Sequence, residues 1–215
     1  MIEQKIIELK KEILNYSNFI KQMIIKAADS FLKDDIRLGK EVIEVDEKKA
    51  NEEENKLEEE CIKTIALYQP EAKELRFVIM INKMASDIER IGDKAVNIAE
   101  SSIKLSGKPK LKSNYDIQKM TEITIKMLED SIFAFVNENI EISYELLKKD
   151  DEVDAMRDQI YNEIISYMAK NPESIDYCLH ILRIARNLEK IADITSNICE
   201  DNIYISQGKM IKHHY

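Results

Sequence analysis

Four polar residues recur along one face of a helix-forming segment: Glu89, Asp93, Asn97 and Glu100. At about 100° per residue they fall within roughly 80° of one another. One hundred positions later the set returns as Glu189, Asp193, Asn197 and Glu200. Carboxylates one turn apart on one face repel unless something cationic lies between them. Oxygen ligands of this kind suit hard divalent or trivalent cations. Ile81, Met84, Ile88, Ile91, Ala95 and Ile98 occupy a different arc, so the stripe is not the main core face. Each stripe therefore has two readings, a solvated charged face or a set of metal ligands.

The preceding segment supplies further acids. Its apolar seam runs from Ile43 through Ala50, Leu57, Cys61 and Ile65, which puts Glu47 and Glu54 on the seam. Acids at inward positions cost free energy unless they are paired or ligate a cation. Asp150 and Asp154 take the equivalent place later in the chain, with Arg157 instead of the second acid. Each half would thus bring carboxylates from two helices to one locus. Between Glu41 and Glu60 this segment carries ten acids, and those off the seam read as a solubility face.

Other chemistry is poorly supplied. No Gly-rich phosphate loop, nucleophile elbow or zinc HExxH motif occurs. The histidines are His180, His213 and His214, and none stands three residues after a Glu, so the pairs used by di-iron bundle enzymes are missing. Any metal would be held mainly by oxygen, unlike the site of a redox enzyme. Cys61, Cys178 and Cys199 are sparse, without CxxC spacing, and suit a reducing compartment as buried apolar residues. A net charge of -9 disfavours nucleic acid. The one basic run, Lys104, Lys108, Lys110 and Lys112, reads as a solvated linker. No apolar stretch is long enough to span a membrane, and the first residues, MIEQKIIELKKEI, are amphipathic rather than a secretory signal. The expectation is a soluble cytoplasmic protein.

The elements that must position these residues follow from the breakers. The chain has 4 Gly and 3 Pro in 215 residues, where average usage gives about 15 and about 11. Few sharp corners are available, so long helices are expected. The pattern predicts helices from about Glu3 to Phe31, from the Lys33-Asp34-Asp35 corner to Tyr68, and from Gln69-Pro70 to a cap at Gly107. After a connector from Gly107-Lys108-Pro109 to Asn114, it predicts a helix to Val136, another ending before Asn171-Pro172, and a last one to Gln207 with Gly208 as cap. The segment Ile88-Glu89-Arg90-Ile91-Gly92-Asp93 matches Leu188-Glu189-Lys190-Ile191-Ala192-Asp193, and Asn97-Ile98-Ala99-Glu100 matches Asn197-Ile198-Cys199-Glu200. The fold class is all-α, a tandem repeat of two three-helix bundles with six long helices, at residues 1–108 and 109–215. Gly92 and its small counterpart Ala192 are read as close-packing positions.

The string ELRFVIMINKMASDIERIGDKAVNIAE (74–100) resembles the signature of the PhoU family. The later HILRIARNLEKIADITSNICEDNIYISQGK is similar to that family's C-terminal repeat, and Tyr68-Gln69-Pro70 also fits. The resemblance covers essentially the whole chain. It implies two three-helix bundles with metal motifs on their surfaces. Glu89 and Asp93, then Glu189 and Asp193, would be ligands, with Glu47, Asp150 and Asp154 contributing from neighbouring helices. Asn97, Glu100, Asn197 and Glu200 would extend the stripe. The ion would be Fe, Mn, Mg or Zn. The second motif departs from the family pattern at Ala192 and at Ile194, Glu74 replaces the usual Asp, and Asn51 stands where Asp154 stands in the other half. The two clusters are therefore not expected to be identical.

The resemblance also implies a non-enzymatic negative regulator of phosphate uptake and phosphate-starvation signalling. Such a protein acts as an adaptor between the ATPase of the phosphate ABC transporter and the phosphate sensor histidine kinase of the two-component system. It would be a homodimer, peripheral to the membrane through its protein partners. The alternatives are an accessory protein of a low-affinity phosphate permease, or a carboxylate-bridged metalloprotein with an activity of its own.

Overall fold

The computed structural model describes residues 2–108 and 116–207. The connector expected between Pro109 and Asn114, the cap at Gly208 and the His213-His214 tail lie outside them. Helix α1 (Ile2–Leu32) buries Leu9, Ile13, Tyr16, Ile20, Ile24 and Ala27, a three-to-four-residue spacing that gives it one apolar face. The Lys33-Asp34-Asp35 corner ends it, and the Asp35 carboxylate accepts the Arg37 N–H at 3.0 Å to start α2 (Ile36–Glu41). A π turn over Val42–Asp46 leads without a break into α3 (Glu47–Tyr68). Helix α4 (Ala72–Leu105) completes the first half.

The second half comprises α5 (Ile117–Val136), α6 (Ile140–Lys170), a 3-10 turn at Pro172–Ser174 and α7 (Ile175–Gln207). Asp116 and Asn139 cap α5 and α6, accepting the N–H of Lys119 at 3.1 Å and of Ile142 at 3.2 Å. Counting α2, the π turn and α3 as one rod, the described residues form six long rods in two sets of three. The expected start of the third helix moves slightly. Gln69 adopts a left-handed φ of 47° and closes α3, so α4 begins at Ala72 rather than at Pro70. Gly107, at φ 71°, sits just past the α4 cap, and its N–H points to Asp34 at 3.3 Å.

The π turn changes the register of the first half. Gly39, Val42 and Asp46 correspond to Ser143, Leu146 and Asp150, whereas Ala50, Leu57 and Cys61 correspond to Val153, Ile160 and Ile164. One extra residue therefore lies between Val42 and Ala50, and the wider π turn absorbs it. As a result the counterpart of Asp150 is Asp46, not Glu47. Asp46 is 4 % exposed and pairs with Lys26 at 2.8 Å, while Asp150 is 2 % exposed. The seam position expected for Glu47 thus belongs to its neighbour, because a sequence period of 3.6 cannot show the insertion.

Within each half the three rods pack on one another, and α4 lies against α7 and α1 against α5 to join the halves. One hydrophobic cluster runs through both sets. Helices α4 and α7 are antiparallel: Lys83 meets Asp201 at 2.7 Å and Arg183 meets Glu100 at 2.8 Å. Lys83 and Arg183 are counterparts in the repeat, so each half sends one cation across the junction, to acids at neighbouring rather than equivalent repeat positions. Phe77 and Phe135 stack at 4.9 Å, with the Lys10 ammonium 4.8 Å from the Phe77 ring, and add a further link.

Candidate metal centre

In the second half, α7 presents Glu189 and Asp193 one turn apart, and α6 brings Asp154 to them. One carboxylate oxygen from each lies within 4.8 Å of the other two. The convergence is local in origin. Leu188 and Ile191 anchor one side of α7 in the core while Val153 does the same for α6, so the residues flanking those anchors meet at the edge of the helix pair. Glu189 is 7 % exposed and its Oε2 has no hydrogen-bond partner; the buried Oδ1 of Asp154 has none either. Three converging carboxylates with an unsatisfied buried oxygen match the donor set of a hard cation.

Internal cations already hold this group. The Lys190 ammonium donates to Glu189 at 3.2 Å and to Asp193 at 2.5 Å, and an Arg157 nitrogen stands 3.6 Å from Asp154. A metal bound by all three acids would replace Lys190 as their counter-charge. Arg157 is expected beside these acids from the sequence, whereas Lys190 is not. The signal was its place directly after the motif glutamate, where the helix turns its long side chain along the same edge.

The first half is built differently. Arg90, the counterpart of Lys190, turns away to Asp87 at 2.8 Å. Glu89 is consequently left without that cation. Burial, then the charges of Asp93 and Glu54, then a hydrogen bond shared with Asp93 push its pKa from 4.5 up to about 7. The hydroxyl of Tyr16, buried on α1 without a hydrogen-bond partner, is driven upward by burial and then by the charges of Glu54, Glu89, Glu53 and Asp93. Tyr16 thus belongs to the surroundings of this group.

The structure therefore brings together Asp154, Glu189 and Asp193, whereas in the first half Asp93 and Glu54 act on Glu89 through their charges without forming so tight a group among the described residues. Glu47 is half-exposed and is not among the charges raising Glu89. Asp150 lies one turn before Asp154, buried and outside the trio. Asn97 and Glu100 serve the junction of the halves instead, accepting from Arg183 at 2.5 Å and 2.8 Å. Asn197 is exposed and Glu200 half-exposed farther along α7. The three cysteines are buried and free, and burial pushes Cys61 and Cys199 up to about 12. Among the described residues no helix is long and apolar enough to cross a membrane.

The same two-part plan is found in known proteins. The family model described as the PhoU domain matches residues 13–102 and again 117–201. A phosphate-specific transport system accessory protein PhoU homolog of Aquifex aeolicus is 36% identical over 208 residues, 97% of this chain and 94% of the relative. The phosphate-specific transport system accessory protein PhoU of Escherichia coli is 29% identical over 205 residues, 95% of this chain and 85% of that one. The crystal structure of the phosphate transport system regulatory protein PhoU from Streptococcus pneumoniae superposes with a TM-score of 0.92 at 27% identity, covering 99% of this chain and all of its own. With both halves matched over nearly their full length, the chain belongs to the PhoU family.

Proposed function

We propose that this protein is an accessory regulator of phosphate-specific transport, a non-enzymatic adaptor that restrains phosphate uptake and phosphate-starvation signalling. Its partners in this reading are the ATPase of the phosphate ABC transporter and the sensor histidine kinase, met at the cytoplasmic face of the membrane. The observation that carries the reading is the match of both halves to proteins named as phosphate transport accessories. A six-rod frame with a charged cleft suits partner docking. The test is a deletion strain grown in high phosphate. Phosphate-starvation genes should stay on, and affinity capture of the tagged chain should recover the ATPase or the kinase. Normal repression in the deletion strain refutes the reading.

The same reading includes a divalent or trivalent cation at Asp154, Glu189 and Asp193, with Glu89 and Asp93 as the core of a counterpart in the first half. The support is the unsatisfied Oε2 of Glu189 among three converging carboxylates. When bound, the ion would supply fixed positive charge at the bundle surface. Elemental analysis of protein purified without chelator tests this, followed by titration with Mn, Fe, Mg and Zn. A metal-free protein that binds none of them leaves the acids as a self-neutralised surface group.

A further inference from the structure

Beside the Asp154 group, a cleft of about 590 Å³ opens between α6 and α7, a size that suits a small organic ligand. Arg157, Arg183, Arg186 and Lys190 line it, and Glu189 is the one acid in the lining. Tyr161 and Leu179 form an apolar wall and are 49% and 55% exposed. Arg183 is engaged by Glu100, and Lys190 by Glu189 and Asp193. Arg186 is exposed and makes no ion pair or hydrogen bond among the described residues. Arg157 stands 3.6 Å from Asp154 through Nη2 and 3.1 Å from Asp158 through Nε, yet its buried Nε is outside hydrogen-bond geometry, which leaves that N–H without an acceptor.

Comparison of the two halves shows that the frame does not require this lining. In the register set by the buried positions, Arg157 corresponds to Glu54, Tyr161 to Glu58 and Arg186 to Ser86. The first half builds the same three-rod packing with two acids and a serine at those places. Packing therefore does not explain two guanidinium groups and an exposed aromatic ring clustered on the second half alone. Guanidinium groups present planar, fixed donors that match phosphoryl oxygens, and an exposed ring and leucine offer a surface for an apolar or aromatic moiety.

We propose that the α6/α7 cleft binds a phosphorylated organic molecule of nucleotide size. Its phosphoryl oxygens sit on Arg157 and Arg186, and its apolar or aromatic part lies against Tyr161 and Leu179. The site goes beyond the regulatory reading and is tested on the purified chain, so the two stand or fall separately.

The probes are ATP, pyrophosphate, inorganic phosphate and adenosine, each titrated calorimetrically into the full chain in chelator and physiological salt. ATP should bind saturably with a Kd below about 100 μM, and inorganic phosphate at least about 10-fold more weakly. Arg186→Ser, the residue of the first half at an exposed position, should weaken ATP at least about 10-fold. Tyr161→Glu should remove the advantage of ATP over pyrophosphate. Circular dichroism melts of both variants should match the parent. Absence of saturable ATP binding overturns the proposal, as does equal affinity for inorganic phosphate or indifference to Arg186→Ser. So does adenosine binding as tightly as ATP, since the phosphoryl groups would then contribute nothing.

Discussion

Replacing Glu89 by Gln fixes that side chain in a neutral form and isolates the charge that the first half fails to compensate. In the folded protein, burial and then the charges of Asp93 and Glu54 raise the Glu89 pKa from 4.5 to about 7. Between those values the folded chain holds a proton that the unfolded chain has lost. Stability therefore falls as pH rises from 4.5 through 7, and the penalty is fully present above 7. At about 1.4 kcal/mol per pH unit the ceiling is roughly 3 kcal/mol. Glu89 is partly exposed, and solvent screening reduces the effect to about 1–2 kcal/mol. In chelator, Glu89→Gln should match the parent at pH 5 and exceed it by that amount at pH 8, a rise in Tm of about 2–8 °C. Thermal or urea melts from pH 5 to 8 measure the difference. Parallel parent and variant profiles across the range would refute the account of Glu89 as a partly buried acid that lacks the close cation Lys190 supplies in the second half.

Other perturbations probe the remaining groups. Lys190→Met removes the ammonium from Glu189 and Asp193. In chelator at pH 8 it should cost about 1–2 kcal/mol, while calorimetry should show tighter Mn²⁺ binding; unchanged affinity would mean that Lys190 does not compete for these acids. At the junction, Lys83→Ala should destabilise more than Arg183→Ala in urea melts. Asp201, the partner of Lys83, is 15% exposed, whereas Glu100, the partner of Arg183, is 46% exposed, so Arg183→Ala should cost less than about 1 kcal/mol. Cys61 and Cys199, held up near 12 by burial, should resist a thiol reagent at pH 8 in the native chain and react once urea unfolds it. Labelling at native rates like those in urea would contradict their burial.

Most of the fold was legible because its signals are local. Scarce Gly and Pro, the matched motifs and the apolar spacing fixed six long helices and a duplicated plan, and Gly107 marks the end of α4 as its position suggests. Glu189, Asp193 and Asp154 were also legible as a group, since helical spacing puts the first two on one face and the seam brings in the third. Glu47 was not, because the extra residue taken up by the π turn hands its place to Asp46. Asn97 and Glu100 share the arc of the stripe, yet the antiparallel junction with α7 gives them to Arg183.

By itself, then, the sequence determined an all-helical repeat of the PhoU kind with a carboxylate stripe on each motif helix, because helix period and breaker positions are properties of neighbouring residues. Only the tertiary structure decided how each stripe is balanced. Lys190 folds back onto its acids while Arg90 leaves for Asp87, and Arg157 and Arg186 meet across a cleft where the first half has Glu54 and Ser86. Within one helix, spacing only offers Lys190 and Arg90 a choice of acids three residues away. Partners on different helices are set by distances that no spacing along one helix encodes.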